Sequence, residues 1–221
     1  MLEENLYEYE DPAYKEFNER LIPNLKKPMI GVRVPDLRKI SGEIYKKEDL
    51  REDFLKDLPH TYHEEDLIHG YLLEKIKDYD LVMSRLEDFL PYIENWAVCD
   101  SFTISLMKDH REETYERIKV WLRSDHTYTV RFGLVSLIKH FTKEDFVKEI
   151  NDLVAGLDRE DYYIQMAQAW YFQKALVDQR EKTLPYFENI LEGRVRSMAI
   201  QKALDSYKID KETKNYLRKI R

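Results

Sequence analysis

Apolar residues recur along the chain with helical spacing, and five apolar segments carry a small residue at a corresponding position. The segments are DLIHGYLLEKI, WAVCDSFTISLM, TVRFGLVSLIKHF, YIQMAQAWYFQKAL and RSMAIQKALDSY. Aligning them brings five small residues into register at intervals of 31, 32, 34 and 32 residues: Gly70, Ser101, Gly133, Ala167 and Ala199. The nearly constant interval indicates a repeating structural unit.

More amphipathic segments with apolar residues at i, i+3, i+4 and i+7 precede these apolar segments, for example TYERIKVWLRS and EDFVKEINDLVAGL. The pattern predicts helical hairpins that stack, because one hairpin cannot bury its apolar face alone. The consensus of tetratricopeptide repeats is not matched. We therefore predict an all-α, HEAT-like helical-repeat solenoid, an α-α superhelix whose second helices line the concave surface.

Composition agrees with a folded, all-helical chain. Hydrophobic residues make up 43% of the 221 residues and charged residues 36%, far from the composition of disordered chains. With only 6 Gly and 7 Pro, the turn residues of a many-stranded β protein are missing. Since no Ser/Gly-rich or Pro-rich linker divides the chain, we expect a single domain over residues 1–221.

The chain lacks the sequence features of an exported or membrane protein. Its acidic start is not a secretory signal, and no stretch of about 18 residues is free of charge. A single cysteine, Cys99, forms no internal disulfide and excludes a cysteine-based metal site. We expect a cytoplasmic protein that needs neither a cofactor nor a metal.

The net charge of −7 weighs against a protein that simply coats nucleic acid. Charge can still be segregated between the faces of a solenoid, so that any DNA binding would be local.

Trp96 and Asp100 stand four residues apart and so share one face of a predicted helix. In the repeat register, Asp100 occupies a position that is apolar in three of the other four segments, where a charge is costly unless it is paired or used. Arg131 and Trp170 lie on the next two inner helices. A solenoid would bring all four onto one concave wall.

Each of these residues also has a purely structural interpretation. Asp100 could cap a helix or pair with Arg131, the two tryptophans could pack in the core, and Arg131 could form an ion pair between repeats.

The motif WAVCD and the helices TVRFGLVSLIK and IQMAQAW, together with the upstream GVRVPDLRKI, resemble the AlkD family of bacterial DNA alkylation-repair glycosylases. The likeness runs from about Asp11 to Tyr207, with the motifs in the family's order and spacing. It implies a HEAT-like solenoid that holds duplex DNA in its concave cleft. The family removes cationic N3- and N7-alkylpurines without placing the base in a pocket.

The resemblance implies a role for each matching residue. Asp100 matches the family's catalytic aspartate, Trp96 and Trp170 match tryptophans that contact the deoxyribose, and Arg131 matches an arginine that grips the nearby phosphate. A base alkylated on a ring nitrogen leaves without protonation, so the enzyme needs only to stabilise the positive charge that develops on the sugar. A carboxylate and electron-rich indole faces suit that task.

Lys139, two helical turns beyond Arg131, and Arg196 complete the candidate DNA-binding residues. We expect the partner to be duplex DNA that carries alkylated purines, bound by a monomer.

The sequence also departs from the family pattern. Met166 and Gln173 stand where family members carry basic residues, which predicts weak DNA binding. Pro23 and Pro28 interrupt the stretch where the family has a helix that approaches the minor groove, so that helix is expected to be absent or shortened.

Three functions therefore remain open. They are a monofunctional alkylpurine DNA glycosylase, a non-catalytic paralogue that binds DNA weakly or by its structure, and a HEAT-like scaffold for a protein partner. The acidic charge and the 16 tyrosines favour the last.

Overall fold

A computed structural model describes residues 6–23 and 25–221, and its described residues form helices and no strand. The all-α, helical-repeat fold class is confirmed. The chain divides into two compact units, residues 1–110 (unit 1) and 111–221 (unit 2). The single-domain organisation stays a prediction. Within the described residues, no helix is long and apolar enough to cross a membrane.

Unit 1 is built around one central helix, which packs on both sides against a further helix of the same unit. The central helix is α4, and its two neighbours are α2 and α6. The α-helices of the unit are Pro12–Leu21 (α1), Val34–Tyr45 (α2), Glu48–Lys56 (α3), His63–Leu73 (α4), Tyr79–Phe89 (α5) and Trp96–Ser101 (α6). Short 3₁₀ turns follow α5 at Leu90–Tyr92 and α6 at Ser105–Lys108.

Unit 2 is a regular array in which α8, α10 and α12 pack side by side, with α7, α9 and α11 behind them. Its helices are Arg111–Trp121 (α7), Thr127–His140 (α8), Val147–Ala155 (α9), Tyr162–Asp178 (α10), Arg180–Asn189 (α11), Gly193–Asp205 (α12) and Lys211–Ile220 (α13). The predicted hairpin order of this region is confirmed. Gly133, Ala167 and Ala199 are buried in these second helices, and Gly133 faces Leu122 and Trp121 at the end of α7.

The WAVCDSFTISLM segment is less helical than its apolar pattern predicts. Helix α6 ends at Ser101, and Phe102 is extended, with φ −120° and ψ 161°. The Phe102 ring lies against the backbone of α4 at Gly70, where a Cβ atom would meet the ring Cδ1 at 2.4 Å. A close packing contact therefore requires glycine at position 70.

The segment between α1 and α2 is irregular and is fixed to α4 by two buried carboxylates. Helix α1 ends at Leu21, and the described residues from 22 to 33 contain no helix, in agreement with the predicted interruption at the prolines. Glu64 of α4 accepts backbone N–H groups from residues 30–32, the shortest from Gly31 at 2.7 Å. Asp66 pairs with Lys27 at 2.7 Å. Because buried carboxylates need such partners, this irregular segment becomes part of the core.

Candidate functional site

Trp96 and Asp100 occupy the same short helix, α6, as the sequence predicts. The helix begins at Trp96 because the side chain of Asn95 caps it, accepting the Val98 N–H at 3.0 Å. Asn95 is itself buried and its amide lies 3.4 Å from the His63 Nδ1 atom. Burial lowers the pKa of His63 to about 4, so the ring is neutral at physiological pH and can accept that contact.

Neither Trp96 nor Asp100 is withdrawn into the core, since both side chains are half-buried. The indole Nε1–H of Trp96 donates to the Leu21 carbonyl at 3.3 Å, at the end of α1. Lys26, in the irregular segment, forms an ion pair with Glu94 at 3.3 Å, just before α6. The irregular segment is therefore linked to the start of α6 by Lys26, and the end of α1 orients the Trp96 indole by its N–H while part of the side chain stays accessible.

Arg131 lies deeper than the sequence-based prediction implies. On α8 it is only 5% exposed, and its Nη1 donates to the Tyr163 carbonyl at 2.8 Å. Tyr163 is in the first turn of α10, and Trp170 follows it seven residues later on the same helix, half-buried. Arg131 thus connects α8 to α10, the helix that carries Trp170. Its predicted phosphate contact stays a prediction.

The remaining candidate residues of unit 2 are placed differently from one another. Lys139 is half-buried near the end of α8. Arg196 of α12 donates through Nε to the Phe187 carbonyl at 2.9 Å and through Nη2 to the Ile220 carbonyl, so it satisfies two helix ends. This structural role was not expected from the sequence, and a DNA contact by Arg196 would have to share its guanidinium.

The two positions where basic residues are missing are also part of unit 2. Met166 is half-buried, and the Gln173 amide donates to the Ser206 hydroxyl at 3.2 Å. Neither can neutralise a phosphate.

The candidate residues divide between the units, with Trp96 and Asp100 in unit 1 and Arg131, Trp170, Lys139 and Arg196 in unit 2. That all of them form one surface stays a prediction.

The net charge also differs between the two units. Residues 1–110 carry 15 Lys and Arg against 25 Asp and Glu, a net charge of −10, whereas residues 111–221 carry 21 against 18, a net charge of +3. Attraction for phosphate therefore resides in unit 2.

A groove of about 1030 Å³ lies in unit 1 between α2, α3 and the residues after α3, and none of the candidate residues lines it. Its wall includes the exposed carboxylates of Glu8, Glu43 and Asp53. These would repel a phosphate backbone, so the groove does not suit DNA.

A pair of buried histidines beside this groove was missed by sequence reasoning. His60 Nε2 lies 2.9 Å from His69 Nδ1, and the rings stack on Phe54 and Phe89 at centroid distances of 4.4 and 3.9 Å. Burial lowers the pKa of His60 to about 4 and holds that of His69 well below its ordinary value. Both rings are neutral at physiological pH and pack as aromatic core residues. Only for His69 did the sequence signal burial, through its apolar neighbours in DLIHGYLL.

Comparison with known proteins gives one family. A family model described as DNA alkylation repair enzyme matches residues 2–205, nearly the whole chain. No curated protein sequence matches the chain significantly.

Proposed function

The chain belongs to the family of DNA alkylation repair enzymes, and from this premise we propose that it is a monofunctional DNA glycosylase. Its substrates are cationic N3- and N7-alkylpurines in duplex DNA, and its reaction is hydrolysis of the N-glycosidic bond. The observation that carries the proposal is the placement of Asp100 and Trp96 on α6, a capped and anchored helix on which both side chains remain partly accessible.

The reaction requires the protein mainly to stabilise the charge that develops on the substrate. An alkylated ring nitrogen makes the purine a cationic leaving group, so departure of the base needs no general acid. Positive charge then develops on the sugar, and the Asp100 carboxylate stabilises it and orients the attacking water. Neutral lesions leave poorly in this mechanism, because no acid protonates them.

The other candidate residues bind and orient the damaged strand. Trp96 and Trp170 supply indole faces that attract the cationic sugar and base. Arg131 and Lys139 contact phosphates, and Arg131 also holds the helix of Trp170 in place through the Tyr163 carbonyl. We retain a cytoplasmic monomer as the working state of the protein.

The direct test is incubation with a duplex that contains one 7-methylguanine, scored by strand cleavage at abasic sites. We expect excision by the parent chain and excision slowed by one to several powers of ten in Asp100→Asn, each power costing ~1.4 kcal/mol in activation free energy. DNA affinity should change little, because the charge that Asp100 stabilises appears only on the way to the transition state.

Asp88→Asn is the matched control, since Asp88 is exposed on α5 of the same unit and has no assigned role. Equal excision by Asp100→Asn, Asp88→Asn and the parent would remove Asp100 from the mechanism.

A second candidate function is a non-catalytic paralogue that binds DNA weakly or by its structure. Two observations favour it, the deep burial of Arg131 and the irregular backbone where the family has a DNA-approaching helix. It is distinguished by DNA binding without abasic sites after prolonged incubation at high enzyme concentration. Binding to a protein but not to DNA would instead favour the scaffold interpretation.

A further inference from the structure

The positive charge of the chain is concentrated at its C-terminal end. Residues 206–221 carry 6 Lys and Arg against 2 Asp and Glu, a net charge of +4. Residues 1–205 carry 30 against 41, a net charge of −11. The last helix, α13, is therefore the centre of the basic region, and it lies beyond residue 205, where the family match ends.

Helix α13 is firmly built into unit 2 by one face. Thr213 and Leu217 are buried, and the helix packs against α12. Asp210 caps its start by accepting the Thr213 N–H at 2.8 Å, and Arg180 donates to the Thr213 hydroxyl at 2.8 Å. These contacts fix the rotation of the helix about its axis.

A face beside the buried one presents a basic stripe, which we define as Lys211, Lys214 and Arg218. Their i, i+3, i+7 spacing puts them on one side of the helix, and Lys211 and Arg218 are exposed. Among the described residues none of the three forms an ion pair, in contrast to Lys148 with Asp152 on α9. Cations held on a rigid surface and not neutralised by neighbours remain available to an external anion.

We propose that the basic stripe of α13 is a second DNA-contacting surface, which binds the phosphate backbone of the duplex away from the lesion. The proposal rests on duplex DNA being the substrate of the proposed function. The stripe spans about 10 Å along the helix axis, from the ~1.5 Å rise per residue. This equals the rise of roughly three base pairs, at ~3.4 Å for each phosphate of one strand, so three cations can neutralise neighbouring phosphates.

The stripe also compensates for the basic residues that are missing at Met166 and Gln173. Such contacts carry no sequence information, which suits an enzyme that must search undamaged DNA. The competing occupant of a basic amphipathic helix is an anionic membrane, which requires a free apolar face. The apolar face of α13 is already packed inside unit 2, with Leu217 fully buried, so the observations favour DNA.

The test measures the binding of a lesion-free 20-base-pair duplex by fluorescence anisotropy over a range of salt concentrations. The test variant combines Lys211→Gln, Lys214→Gln and Arg218→Gln. The control variant removes three exposed lysines of unit 1 with the same charge change, Lys46→Gln, Lys56→Gln and Lys77→Gln. Thermal unfolding by circular dichroism verifies that both variants keep the parent fold.

We expect the slope of log K against log salt to fall by up to ~2.7 in the test variant, from ~0.9 for each phosphate that the stripe no longer neutralises, and affinity to fall about tenfold or more. The control variant should keep the parent slope. An unchanged slope in the test variant, or an equal decrease in the control variant, would overturn the proposal. So would a test variant that loses binding to anionic lipid vesicles but not to the duplex.

The same samples separate this proposal from the proposed function. A parent chain that shows the α13-dependent slope but excises no 7-methylguanine would refute the glycosylase and leave the stripe in place. Excision by the parent chain, with the same slope in the test variant as in the parent, would support the glycosylase and refute the proposal for the stripe.

Discussion

The contact between Gly70 and Phe102 predicts a large effect from the smallest possible substitution. In Gly70→Ala the new Cβ would stand 2.4 Å from Cδ1 and 2.8 Å from Cγ of the Phe102 ring. Ordinary carbon contacts are about 3.5–4.0 Å, so the ring or α4 must move by roughly 1 Å. Phe102 is only 1% exposed and cannot swing out into solvent.

The expected change in the free energy of unfolding follows from two opposing contributions. Overpacking a buried site costs about 1–3 kcal/mol, and replacing a helical glycine with alanine returns about 1 kcal/mol. Because the Phe102 ring cannot move into solvent, the cost of overpacking should lie in the upper half of the range given for a buried site. We expect the free energy of unfolding to fall by roughly 1–2 kcal/mol.

The same displacement should reduce excision, because Phe102 follows α6 directly and α6 carries Trp96 and Asp100. A misplacement of about 1 Å at reacting groups can cost on the order of 10²-fold in rate. Urea unfolding measures the first effect, and single-turnover excision of 7-methylguanine measures the second.

Gly42→Ala is the matched control. Gly42 lies inside α2, and its Cβ would have nothing within 4 Å, so this substitution should stabilise the protein by about 0.5–1 kcal/mol. If Gly70→Ala proves as stable as Gly42→Ala, the packing argument fails. A double variant that adds Phe102→Leu should recover part of the stability, which a merely local effect on α4 would not allow.

Two further predictions concern buried polar groups. His60 and His63 should stay neutral in NMR titrations down to about pH 5, because burial lowers their pKa values to about 4. Their unfolded forms take up protons from pH 6.5 downwards, so their contribution to stability is lost as the pH falls from 6.5 towards 4; titration of both rings near pH 6.5 would contradict this. Arg131→Ala should lower the unfolding temperature as well as DNA affinity, because it leaves the Tyr163 carbonyl without its guanidinium donor. Reduced affinity with an unchanged unfolding temperature would assign Arg131 to DNA alone.

The helical array could be predicted from the sequence because its signal is periodic. Gly133, Ala167 and Ala199 recur at nearly constant intervals, and each is buried in a second helix. The end of α6 could not be predicted in this way. The apolar residues after Ser101 fit a helix, but Phe102 is extended and packs against Gly70, 32 residues earlier in the chain.

The candidate site shows the same limit. The spacing of Trp96 and Asp100 within one helix is local, so the sequence predicted their shared helix. The surroundings of Arg131 are not local, since its guanidinium donates to a backbone carbonyl at Tyr163 that no side-chain pattern records. The hydrogen bond from the Trp96 indole to the Leu21 carbonyl could not be predicted for the same reason.

The backbone amides of residues 30–32 that donate to Glu64 have a consequence for hydrogen exchange in the irregular segment. Hydrogen exchange of a loop amide is usually fast, since the loop opens alone. The N–H groups of Ile30, Gly31 and Val32 all point at a carboxylate that is 1% exposed, so they become free only when Glu64 leaves its place. Their exchange should follow that of α4, and a segment without regular secondary structure should unfold as one cooperative unit with a central helix.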